Sequence, residues 1–225
     1  MSTPPKYELL RSCLSSERLT SYEAAASGDV ATAFALYEWN SRVSAALFEV
    51  IGHTEVVVRN AMAGQFERMG ATRGWPEPWY RAGSQVFRRE DIQDIEKAIA
   101  RATNRARRHE VPGKVIAELN FGFWRFLTSR RHHTSLWVPG LHAAFVNLPG
   151  AGASQQSRET VFRRMEDINL LRNRIAHHEP IHQRDLAQDE ERIFDIVGWV
   201  RPEAEAWLRQ QSRVSIVNGS RPSAT

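Results

Sequence analysis

DVATAFALYEWNSRVSAALFEVIGHTEVVVRNAMAGQFERM, Asp29 to Met69, contains no proline and repeats its apolar residues at three and four positions from end to end. Periodicity of that length implies a long central helix, or two nearly in line with Gly52 as the expected bend, and such a helix needs others packed along it. Asp29 is placed to cap its start, and Ser27-Gly28 to close an earlier helix that begins at Ser15 or Ser16 and reaches Ala26.

On the far side, GATRGWPEPWYRAG (Gly70 to Gly83) reads as a loop. Its Trp75, Trp79 and Tyr80 either pin the loop to the core or stack on bases. Arg89 to Arg108 reads as a charged helix. Arg101, Arg105 and Arg108, three and four apart, form a basic stripe at its end, which complements the helix dipole or holds an RNA backbone. Val111-Pro112-Gly113 breaks the chain before KVIAELNFGFWRFLT (Lys114 to Thr128), a helix with Ile116, Leu119, Phe123, Phe126 and Leu127 on its buried face and Gly122 at a close approach. Arg130, Arg131, His132 and His133 follow as a solvated end, with the two arginines also candidates for RNA contact. Leu148 to Gln156 is a glycine-rich connection, without the lysine and hydroxyl pair that a phosphate loop requires.

MEDINLLRNRIAHHEP (Met165 to Pro180) collects the polar chemistry. Ile168, Leu171 and Ile175 make an apolar stripe, and Pro180 disfavours helical geometry at Glu179, so the helix should end about there with His177 and His178 in its last turn. The negative end of the dipole favours an imidazolium there, and a neighbouring arginine opposes one. Asn173 and His177 share one face, Arg174 and His178 another. Arg172 diverges from His177 by roughly 140° at ~100° per residue, which points to a site completed by a second copy of the helix. Arginine forks neutralise phosphate oxygens and histidine moves protons, a pairing suited to phosphodiester chemistry. A second polar cluster, Glu55, Arg59 and Asn60, is either a solvated ion pair at helical spacing or part of the same cleft as His177.

Arg172, Asn173 and His177 near a helix end resemble the motif of the HEPN ribonucleases. Leu36-Tyr37-Glu38-Trp39-Asn40, Glu55 through Asn60 and Leu119 through Trp124 resemble the Abi-like proteins of bacterial abortive infection within that superfamily, and together these pieces span most of residues 15 to 210. The resemblance implies a metal-independent endoribonuclease in which the ribose 2′-OH attacks and a cyclic phosphate end results. Arg172, Asn173 and His177 would be catalytic, with His178, Arg174, Glu55, Arg59 and Asn60 in support. It also implies a defence setting of the abortive-infection or toxin-antitoxin kind, in which any antitoxin or neutralising partner is unknown; the homodimer is expected from the helix angles and not from the resemblance. A non-catalytic RNA-binding or regulatory module of the same fold is the competing expectation.

Composition sets the limits. With 225 residues, 42% hydrophobic, the chain can bury one sizeable core or two packed helical halves. Three lysines among 30 basic residues leave 27 arginines, which suits phosphate and nucleic acid, or reflects a genomic bias, since 26 acidic residues nearly balance the charge. One cysteine, Cys13, excludes an internal disulfide and a multi-cysteine zinc site and fits a reduced cytoplasmic setting. The histidines at 132, 133, 142, 177, 178 and 182 lack metal-ligand spacing, so neither metal nor cofactor is expected. Nor is a membrane span, because no stretch approaches ~20 apolar residues. No segment alternates with period two. The expected fold is an all-α multi-helix bundle of HEPN, Abi-like type with seven to nine helices: a flexible lead over 1–14, a single domain over 15–211 and a mobile tail over 212–225.

Overall fold

A computed structural model describes residues 5–223, and all the regular secondary structure in them is helical. Ten α-helices follow in order: α1 Pro5–Leu14, α2 Ser16–Ala25, α3 Val30–Arg73, α4 Arg89–Ala102, α5 Pro112–Glu118, α6 Phe121–Leu127, α7 Gln155–Ala176, α8 Leu186–Val200, α9 Pro202–Gln211 and α10 Val214–Gly219. Short 3-10 and π-helical turns lie between α3 and α4 and between α6 and α7. No described helix is long and apolar enough to cross a membrane.

The 44 residues of α3 run through Gly52 without a break. An added Cβ at Gly52 would meet nothing, so this glycine needs no special backbone there. The caps explain where α3 begins. Ser27 and Gly28 take positive φ, the Gly28 amide closes on the Glu23 carbonyl, and the Asp29 carboxylate accepts the Thr32 amide at 2.8 Å. That hydrogen bonding at Thr32 holds the Asp29 carboxyl below its ordinary range.

Contacts divide the chain into two compact units where the sequence reading expects a single domain. The first comprises residues 5–51, 171–191 and 211–223. Leu19, Tyr22, Trp39, Val43, Leu47, Ile181 and Val214 are buried in it. Trp39 is fully enclosed and its indole N–H donates to the Val217 carbonyl at 2.8 Å, so α10 belongs to the core of this unit. The segments expected as flexible lead and mobile tail thus carry helices α1 and α10. Cys13 is exposed on α1.

The second unit comprises residues 52–170 and 192–210. Its core is aromatic: Phe66 stacks on Trp79 at 4.8 Å, and Trp79 meets Trp124 edge-on at 5.9 Å. Trp79 and Tyr80 are buried and Trp75 half-buried, so the 70–83 loop is pinned through its rings and the base-stacking reading loses two of its three residues. The helix expected over 114–128 is two. Leu119 is extended, and Asn120 starts α6 afresh by accepting the Phe123 amide at 2.9 Å.

Two expectations for charged segments are corrected here. The helix expected over 89–108 ends at Ala102, and Asn104, Arg105 and Ala106 all take positive φ. Arg101, Arg105 and Arg108 therefore form no helical stripe, and Arg101 is held by Glu118 at 2.9 Å. His132, expected in a solvated end, is fully buried with its Nε2 3.3 Å from the equally buried Asp91 carboxylate. That partner lies 41 positions upstream, beyond the reach of local periodicity.

Candidate functional site

The end of α7 is built by local rules. Ile168, Leu171 and Ile175 are buried, as their spacing requires. The helix stops at Ala176, three residues before Glu179, because His178 adopts a left-handed φ of 56°. The Glu179 amide then closes on the Arg174 carbonyl at 2.8 Å and the His178 amide on the Ile175 carbonyl at 3.0 Å, a Schellman ending with histidine where glycine is usual. Pro180 follows and prevents continuation.

Several groups of the first unit hold this turn. Arg18 donates to the His178 carbonyl, Arg174 donates to the Pro180 carbonyl at 3.1 Å, and the buried Asn40 side chain accepts the Ile181 amide at 2.9 Å. The Arg174 guanidinium also lies 3.5 Å from the Glu179 carboxylate, an ion pair beyond good hydrogen-bond length. Such bracing is needed, because a non-glycine residue in the left-handed region costs about 1–2 kcal/mol.

Beside the turn is a cleft of about 520 Å³, lined by Tyr37, Asn40, Ser41 and Ser44 from α3 and by His178 and Glu179. Tyr22 lines it too. Burial pushes the Tyr22 hydroxyl up to about 12, with Tyr37 adding to the shift and Arg18 opposing it, so this phenol stays protonated at neutral pH. Below the turn His182 is fully buried, tilted against the Tyr22 ring at 4.7 Å. Burial, then Arg221, holds its pKa below the ordinary histidine value. Hydroxyls, an amide, an imidazole and a carboxylate thus face one cavity, a set able to donate, accept and relay protons.

The sequence-chosen residues divide around this cavity. His177 is exposed on the helix end, and its amide still donates to the Asn173 carbonyl at 2.9 Å, so its Cα keeps the helical path. Arg172, Asn173 and Arg174 are half-buried. Arg172, Asn173 and His177 do not line the cleft, whereas His178 does. Glu55, Arg59 and Asn60 belong to the second unit and are not among the lining residues, and Arg59 donates to Asn60 at 3.4 Å. Arg101 and Arg105 border one groove of the second unit, Arg130 and Arg131 another. Sequence reasoning did not assign Asn40, Arg18 or Tyr37 to the site. Asn40 had a usable signal, a polar side chain on the apolar face of a long helix that must find a partner.

Among the described residues no three His, Cys, Asp or Glu side chains gather closely enough to share a metal ion. Comparison of the chain with protein-family models, characterised proteins and solved structures finds no match to any of them.

Proposed function

We infer that the chain is a metal-independent endoribonuclease of HEPN, Abi-like type, serving bacterial defence of the abortive-infection or toxin-antitoxin kind in the cytoplasm. The observation that carries this reading is the solvent-exposed His177 on the end of α7, with Arg172 and Asn173 in the turn before it. Following the resemblance, His177 takes the proton of a ribose 2′-OH, the oxygen attacks the adjacent phosphorus, and the 5′-oxygen leaves with a proton. The ends are a cyclic phosphate and a 5′-hydroxyl. Arg172 stabilises the negative phosphorane oxygens and Asn173 orients the histidine or the phosphate. A residue pair diverging by roughly 140° on one helix favours a homodimer whose two-fold axis passes beside Asn173.

A second reading, a non-catalytic RNA-binding or regulatory module, is favoured by the position of Arg172, Asn173 and His177 outside the lining of the cleft. Incubation of the purified protein with mixed cellular RNA in excess EDTA separates the two. Cleavage that persists in EDTA, and disappears in folded His177→Ala and Arg172→Ala proteins, supports the enzyme. RNA binding without cleavage supports the module, and cleavage restored only by zinc or manganese contradicts a metal-independent reaction.

A further inference from the structure

The second unit contains a broad groove of about 1220 Å³ beside the start of α7, and its charges are unevenly matched. Arg163 on its wall is paired with Glu159 at 2.6 Å, and the wall residue Glu166 is paired with Arg125 at 3.1 Å. Asp167 faces Arg192 at 3.8 Å, and Arg131 faces Glu90 at the same distance. Arg158 and Arg130 remain, and among the described residues neither forms an ion pair with a carboxylate.

Arg158 is only 3% exposed, and its one hydrogen bond runs from Nη1 to the neutral Thr128 carbonyl at 2.8 Å. Its Nε, shielded from solvent, has no acceptor. The Ser129 hydroxyl, on the same groove, is likewise shielded and unpartnered. Burial pulls the Arg158 guanidinium below its ordinary value, opposed by Glu159 and assisted by Arg130. A buried cation with no carboxylate in ion-pair contact is costly, and an incoming anion would offset that cost. Gln155 on the groove wall is the first residue of α7, so the positive end of a 22-residue helix dipole lies beside the arginines.

We propose that the groove around Arg158, Arg130 and Ser129 is a phosphate-binding site. Guanidinium forks and a hydroxyl match phosphoryl oxygens. The groove's two phenyl rings are already covered, Phe126 by Arg131 at 4.7 Å and Phe162 by Arg125 at 5.5 Å, so it presents no bare ring for a base to stack on. The phosphate belongs to an RNA strand or to a small phosphate ester. The proposal shares with the reading above only the expectation that the chain meets RNA, and it involves none of the α7 histidines.

The test uses the full chain with inorganic phosphate at constant ionic strength, followed by thermal melting, and a labelled single-stranded RNA, followed by anisotropy. Phosphate should raise the melting temperature of the wild type more than chloride does, and Arg130→Ala, whose side chain is exposed and dispensable to the core, should lose most of that rise. Arg158→Met, which keeps the stem and removes the charge, should behave alike. If RNA is the natural source, phosphate displaces it, and Arg130→Ala weakens its binding severalfold while flattening the log-log salt dependence by about 0.7. A phosphate response lost in Arg130→Ala without RNA displacement supports the site and assigns it to a small ester. A melting temperature indifferent to phosphate, or a response unchanged in Arg130→Ala, overturns the proposal. Because His177 lies outside this groove, undiminished cleavage by His177→Ala with a normal phosphate response would sink the catalytic reading alone, and a wild type that cleaves RNA but ignores phosphate would sink this one alone.

Discussion

The Asn40 side chain accepts the Ile181 amide at 2.9 Å, and both residues are buried. One polar atom on α3 therefore fixes the segment immediately after the α7 turn. Asn40→Ala leaves a buried N–H without an acceptor, and the expected loss is about 1–3 kcal/mol. Urea denaturation measures it. An unchanged midpoint would show that the amide finds another acceptor and that Asn40 does not organise the turn.

His178→Gly separates the stability of the turn from its chemistry. Glycine adopts the left-handed φ of 56° without steric penalty, so stability should hold or rise by up to about 1 kcal/mol, read as a melting-temperature increase. If His177 is the working histidine, cleavage survives. Loss of cleavage in a more stable protein would transfer the role to His178, the histidine that lines the cleft.

Acid should destabilise the protein through His182. Its folded pKa lies below the reference value of 6.5, so between the two the unfolded chain binds a proton that the folded chain refuses. Stability from this residue is complete above about 6.5, the reference value, and declines as pH falls toward the folded pKa. Denaturation midpoints for wild type and His182→Phe on either side of that window should show a steeper acid loss in the wild type. Parallel profiles would mean that other groups control the acid response.

Mixing inactive Arg172→Ala and His177→Ala proteins tests the composite site. Subunit exchange should restore part of the cleavage, because a mixed dimer retains one intact arginine and histidine across the seam. Sedimentation of a fully active wild type as monomer alone would contradict the dimer.

The helical class was legible because its signals are local. Period-three and period-four apolar spacing placed α3 and buried Ile168, Leu171 and Ile175, while Ser27-Gly28-Asp29 marked a helix boundary by residue type alone. Long-range partners were not legible. Nothing near His132 announces Asp91, nothing near Arg158 announces the Thr128 carbonyl, and the left-handed turn at Asn104 to Ala106 interrupts a pattern that reads as helix. At the candidate site the sequence indicated the residue types at the end of α7. It did not indicate that His178 would bend back to line a cavity, because the bend depends on bonds from Arg18 and Arg174 and on the Asn40 hold just beyond it.

The lone thiol of Cys13 has a practical consequence. Being the single cysteine and exposed on α1, it accepts a maleimide dye at one defined place without any substitution. Donor-labelled and acceptor-labelled copies, mixed under reducing conditions that prevent a disulfide between them, report subunit exchange by energy transfer in real time. The same thiol left to oxidise would link two chains covalently, so a dimer seen without reductant carries no information about the α7 seam.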